Sequence, residues 1–382
     1  MNDVLLSRRT FTKITAAALA PGTTRHFLRH TGEVNPLRWP GYDNAIVIDA
    51  LASPGPFNVP DRIGSPLSDA MLDHVQSSGI TAVNVTVSGL GSHHAAFDET
   101  MVHIAYWERE VSDHADVLTK VQSVSDLEAA KASSRLGLIY GFQDTGLLEG
   151  QLERLHTFYN LGVRIVQLTY NDRNQVGDGC LEEANAGLSR FGRDVVETMN
   201  ELGMLIDLSH CGYRTTAEAI QLSSVPVAVT HSGCNAIFQH PRNKNDTELR
   251  GLAERGGVFG VYMMPFLNAE GPPQESHFLR HVEHALQVCG EDHVGIGSDN
   301  SITPTVADDA YMTTLFAFAD ERARMGIGAP REHEVLFVDG LNHPRRMETI
   351  ADVLLGRGFS ERVVEKVLGG NFKRLFGEVW GA

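Results

Sequence analysis

Two histidines carry the first chemical signal in this sequence. His210 ends the apolar run Leu205-Ile206-Asp207-Leu208-Ser209, and His231 ends Val227-Ala228-Val229-Thr230. Each run has the length and β-type composition of a buried strand, and a helix-like segment, 215–224, lies between them. The unit reads as βαβ, with both imidazoles at strand C-terminal ends, the rim where an α/β barrel builds its sites. Neutral imidazoles there are good zinc ligands, and the metal would bring the pKa of a bound water down to ~7. Other polar residues close apolar runs in the same manner: Asp49, Gln143, Tyr170 with Asn171, and Asp299. Asp299 is placed to relay a proton, and Arg242, on the loop after His231, to grip a substrate carboxylate. The plainer alternatives are packed structural histidines, a helix N-cap at Asp299 and a surface ion pair at Arg242.

The elements that must position these residues follow from the hydrophobic pattern. Strand-like runs begin near Ala45, Ile80, Leu136, Val163, Leu205, Val227, Val258 and Val294, and helix-like segments lie between most of them. Ser68 is a candidate N-cap for a helix over 69–78. The order predicts a (β/α)8 TIM barrel with the C-terminal helices packed outside it. An open doubly wound sheet is disfavoured because no glycine-rich phosphate loop follows the first strand. The expected layout is a signal segment over 1–21, an arm over 22–44, and one barrel domain over 45–382. The stretch 308–344 is open between a lid and an oligomer contact.

Composition narrows the partners. The chain has 382 residues, 42% of them hydrophobic, and a formal charge of −16 with no basic block. That argues against nucleic acid and anionic membrane surfaces, and no run reaches the length of a membrane span. The four cysteines, Cys180, Cys211, Cys234 and Cys289, form no regular framework, so buried packing is expected before a disulfide. Ser7-Arg8-Arg9-Thr10-Phe11-Thr12-Lys13, followed by a short apolar stretch, resembles a twin-arginine export signal and predicts a periplasmic protein, with the cytoplasm as alternative.

Several motifs resemble those of the renal (membrane) dipeptidase family of the amidohydrolase superfamily. They are Leu208-Ser209-His210, Thr230-His231-Ser232, Pro241-Arg242-Asn243, Gly295-Ile296-Gly297-Ser298-Asp299 and Gly369-Gly370-Asn371-Phe372. The resemblance implies a zinc-dependent hydrolase of dipeptides or small amides, often dimeric. It further implies His210 and His231 as ligands of the second zinc, Asp299 as general acid/base and Arg242 as carboxylate clamp.

The departures are as specific. The family's first strand ends in Asp-Gly-His-x-Asp, where this chain has Asp49-Ala50-Leu51-Ala52-Ser53. Gln143 stands in place of the carboxylate that bridges two zincs, and Tyr170 in place of a histidine that stabilises the tetrahedral intermediate. A second zinc is therefore not expected. A single zinc on His210 and His231, with Gln143 or Asp299 as third ligand, is the first expectation. Tyr170 and Asn171 are expected to touch substrate, and His93 or His94 could supply a further ligand from their loop. The alternatives are a metal-free pseudoenzyme that binds a small carboxylate, or an isomerase or lyase using Tyr170 and Asp299 as proton carriers.

Overall fold

The structure, a computed structural model, describes residues 38–56, 65–88 and 97–381. The leader, His93 and His94 lie outside the described residues. Eight strands run parallel in chain order: β1 (Ile48–Asp49), β2 (Ala82–Thr86), β3 (Leu136–Phe142), β4 (Val163–Gln167), β5 (Leu205–Asp207), β6 (Ala228–Ser232), β7 (Val258–Val261) and β8 (Val294–Ile296). The ring closes between β8 and β1, where Ala50 N donates to Ile296 O at 2.9 Å and Asp299 N to Leu51 O at 2.8 Å. The parallel pairing of Asn300 with Ala52 extends that seam toward the rim. A short extra strand, Leu118–Lys120, pairs with β3 outside the ring. This is the (β/α)8 barrel that the sequence predicts.

These strands form because they are buried on both faces. Val83, Leu138, Val166, Ile206, Val229 and Phe259 pack outward, in the core shared with the surrounding helices. Ile48, Ile139, Ile165, Leu205 and Val258 belong to a second cluster that includes Phe372, Leu375, Phe376 and Val379 of the last helix, Asn371–Trp380. That helix therefore packs outside the barrel across its N-terminal end. Gly295 makes the closure possible, since a Cβ there would meet the Phe372 ring at 2.4 Å. The apolar plug at one end leaves polar residues to the other.

Local signals set the helix boundaries. The helix Asp69–Ser78 starts at Ser68, whose hydroxyl accepts from Met71 N, and stops at Gly79 with φ 74°. Trp39 and Tyr42, from the described end of the arm, are buried against the barrel. The stretch left open, 308–344, contains the helix Asp309–Arg324 and folds back toward the rim. Among the described residues no helix is long and apolar enough to cross a membrane.

Candidate functional site

The two imidazoles meet. His231 lies within β6 and His210 three residues beyond β5, on neighbouring strands. Their Nε2 atoms are 3.0 Å apart and both rings are buried. Two nitrogens sharing one tetrahedral zinc at ~2.0–2.1 Å would be about 3.3 Å apart, so the pair is near that spacing.

Hydrogen bonds fix how each ring is held. Asn171 Nδ2 donates to Ile327 O at 2.8 Å, which turns its Oδ1 toward His210 Nδ1 at 2.6 Å and makes that nitrogen the donor. His231 Nδ1 lies 2.8 Å from Thr230 Oγ1, which in turn donates to Asp207 Oδ2 at 2.6 Å. Asp207 also accepts from Ser209 Oγ at 2.5 Å and from the backbone N–H groups of Ser209 and Thr230. Burial raises the Asp207 pKa, and these donors oppose it. At 3.0 Å the two Nε2 atoms are within hydrogen-bond contact of each other. Burial, then the Arg242 guanidinium, hold both imidazoles well below the usual histidine range.

A small pocket opens beside His210. It is lined by Tyr170, Asn171, Arg242 and Asp299 from the rim, with Met264 and Phe266 beyond β7. Tyr170 stacks on the His210 ring, centroids 4.2 Å apart, and its buried hydroxyl is pushed above the ordinary tyrosine pKa. Asp299 takes a left-handed backbone conformation, φ 59°, a strain that tends to gather at functional sites. No helix begins there, because the short strand Asn300–Ser301 follows, so the N-cap alternative falls. Arg242 is 2% exposed and therefore no surface residue. Its Nη1 donates to Ser209 O at 2.6 Å, and its Nη2 has no hydrogen-bond partner among the described residues.

The remaining expectations fare differently. Gln143 Nε2 donates to Thr86 Oγ1 at 2.9 Å, and Gln143 is not among the residues lining this pocket. Asp49 is also elsewhere, held by Ser298 and by Arg346 at 2.9 Å. Asn171 reaches the pocket with both ends of its amide engaged, so it acts as a support for His210 and not as a free substrate contact. All four cysteines are free thiols, three of them buried; Cys180, half-buried, touches Asn171 Oδ1 through Sγ at 3.3 Å.

Sequence reasoning missed the pocket's other half. The helix Asp309–Arg324 and the turn after it contribute Phe318, Arg322, Glu332 and Leu336. Arg322 binds Glu332 through two contacts, 2.7 and 2.9 Å, with its guanidinium 5.3 Å from the Tyr170 ring centroid. An arginine and a glutamate ten residues apart outside a regular pattern give no local signal.

Residues 68–315 match the membrane dipeptidase family, peptidase family M19. The chain belongs to that family. Among curated relatives, dipeptidase tcpJ of Claviceps purpurea is 28% identical over 75% of this chain and 61% of its own length. Dipeptidase verJ of Clonostachys rogersoniana is 30% identical over 66% of each. The chain thus spans less than two thirds of the length of these relatives. Among solved structures, an amidohydrolase from Pseudomonas aeruginosa is 32% identical, with a TM-score of 0.77 over 89% of this chain and 98% of that one. A metallopeptidase from Rhodobacter sphaeroides, liganded with a phosphinate mimic of the dipeptide L-Ala-D-Ala, shares the fold at 17% identity and a TM-score of 0.69, covering 88% of this chain and 100% of that one.

Membership in this family raises the question of which residues could hold zinc. Among the described residues no group of three or more His, Cys, Asp or Glu side chains is arranged to hold a metal. A catalytic zinc takes three protein ligands and keeps one position open. His210 and His231 supply two, while the first strand's carboxylate, Asp49, is taken up by Ser298 and Arg346 and is followed by buried Ala50, Leu51 and Ala52. Among the described residues, then, the donors do not complete a zinc centre, and His93 and His94 lie outside them.

Proposed function

We propose that this chain is a divergent member of the membrane dipeptidase family that binds a small carboxylate ligand without a catalytic metal. The reading rests on one observation, the unpartnered Nη2 of the buried Arg242 beside the pocket. A buried cation with an unsatisfied donor is costly, and a ligand carboxylate supplies the charge and the acceptor together. Asn171 and Tyr170 hold the neutral His210 as the pocket's polar wall, and Asp299 faces the same space. Titration calorimetry on chelator-treated protein tests it. Carboxylate binding that persists after chelation supports the reading, and binding that appears only with added zinc overturns it.

A second reading, a hydrolase of a dipeptide or small amide with one zinc on His210 and His231, is favoured by the 3.0 Å between the two Nε2 atoms. It falls behind on donor count. Metal analysis after growth with zinc separates the two: near one zinc per chain favours the hydrolase, and none favours the carboxylate-binding protein. The proposal includes export by the twin-arginine route on the strength of Arg8 and Arg9. Replacing both by lysine should retain the protein inside the cell, as read by fractionation.

A further inference from the structure

We infer that a second cleft, at the N-terminal end of β2 and β3, binds a small phosphate monoester as its dianion through Lys131 and Arg135. This site is independent of the carboxylate reading of Arg242, because the two places lie at opposite ends of the barrel strands.

The cleft has a volume of about 230 Å³. Ile80, Thr81 and Leu136 line it where the chain enters β2 and β3. Gln76 comes to it from the end of the helix Asp69–Ser78, and Lys131, Ser134 and Arg135 from the end of the helix Val124–Ala132 and the residues after it. Pockets for drug-sized ligands measure about 300–1,000 Å³, so this one is of a size for a smaller organic molecule. Val75, Ile80 and Val117 offer such a molecule apolar contact beside the charged group.

The charges around this cleft do not balance. Its lining includes one carboxylate, Asp43, which Arg345 meets at 3.3 Å and Arg38 at 3.6 Å. The same two arginines pair with Glu348, so that network of two cations and two carboxylates closes at zero. Lys131 and Arg135 are left over. Arg135 Nε donates to Ser133 Oγ at 2.9 Å and its Nη1 to Ala115 O at 3.2 Å, both neutral acceptors. Lys131 is half-buried and forms no hydrogen bond or ion pair among the described residues. Burial holds its ammonium below the ordinary lysine range, with Asp43 opposing the shift. Nor does the helix end need Lys131, since the carbonyls of Ala129, Ala130 and Lys131 accept from the backbone N–H groups of Ser133, Arg135 and Ser134 at 3.0, 3.0 and 3.1 Å. In a chain with 48 Asp and Glu residues against 32 Lys and Arg, two cations on one cleft without a carboxylate of their own stand out. A group with two negative charges on one centre answers both, and a phosphate monoester is such a group above its second pKa of ~6.

Titration calorimetry on the full chain with phenyl phosphate, at pH 8 and low salt, tests this. One molecule should bind per chain, and K131M and R135M should each weaken it about tenfold or more, while K131R and R242M retain it. Phenyl sulfate, with one negative charge, and succinate, with its two charges on separate groups, should both bind more weakly. No binding of phenyl phosphate to the wild type overturns the site, as does binding that survives both K131M and R135M or is lost in R242M. A loss in K131R equal to that in K131M overturns the charge pairing. Phenyl sulfate or succinate binding as tightly as phenyl phosphate overturns the assignment to a phosphate dianion. The carboxylate reading of Arg242 survives each of these results.

Discussion

The two sides of the barrel rim each hold a buried arginine with one unpartnered nitrogen, Nε in Arg346 and Nη2 in Arg242, and differ in whether a carboxylate takes up the guanidinium. On the β1/β8 side, Arg346 reaches in from the helix Arg346–Gly356 and donates to Asp49 at 2.9 Å, Ser298 Oγ at 3.0 Å and Ser301 O at 2.6 Å. Its charge is answered inside the protein by a fully buried carboxylate. On the β5/β6 side, Arg242 is equally buried, yet it makes one side-chain hydrogen bond and leaves Nη2 unpartnered. The first arrangement closes the barrel seam, and the second is left for something from outside to complete. The β1/β8 side is held as structure by an internal ion pair, and the β5/β6 side borders a pocket. Burial of a charged group alone does not mark a site; an unanswered charge beside a cavity does.

The largest effect should come from the structural side. Replacing Arg346 by Met leaves Asp49 buried without its cation, and chemical denaturation should show a loss of about 3–5 kcal/mol. An R346M protein as stable as the wild type would break the comparison.

The contact between the rim and the turn after the helix Asp309–Arg324 should respond to acid next. Burial lowers the His240 pKa from 6.5 to about 4, and its Nδ1 accepts from Arg242 N at 3.2 Å while Nε2 holds Pro330 O. The native state binds fewer protons than the unfolded chain between those values. This stability is complete above pH 6.5 and is lost as pH falls through about 4, an amount of about 3 kcal/mol. H240Q should flatten that part of the stability–pH curve, measured by denaturation at stepped pH.

Removing the shared support of that turn and of His210 comes third. N171A deletes the bonds to His210 and Ile327 and should cost about 1–3 kcal/mol, with weaker carboxylate binding in the same protein. The smallest stability change belongs to the functional side. R242M removes a buried charge that nothing inside the protein pairs, so stability should stay within about 1 kcal/mol of the wild type while carboxylate binding is lost. Equal destabilisation by R346M and R242M would erase the distinction between the two sides.

Much of the scaffold was legible because parallel strands buried on both faces read as continuous apolar runs. The same rule exposed His210 and His231 as polar endings of such runs. The pocket's far side was not legible. The buried residues of the helix Asp309–Arg324, namely Leu315, Ala319 and Arg322, form a narrow set that includes a cation, so no amphipathic stripe announces it. Arg242 read equally well as a surface ion pair, and its 2% exposure decided otherwise. Gln143 reads as a third ligand by its place in the chain, and only the structure shows its amide nitrogen donating to Thr86.

By itself the sequence determined the barrel, the pair of rim histidines and the absence of histidine from the run Asp49 to Ser53, because these depend on residue type and on spacing within one element. Only the tertiary structure decided that Asn171 serves His210, that Asp49 answers Arg346 and that the helix Asp309–Arg324 lines the pocket beside His210. Those contacts join residues 39 apart in one case and 297 apart in the other. Side chains so far apart are brought together by packing, and no local periodicity records where they meet.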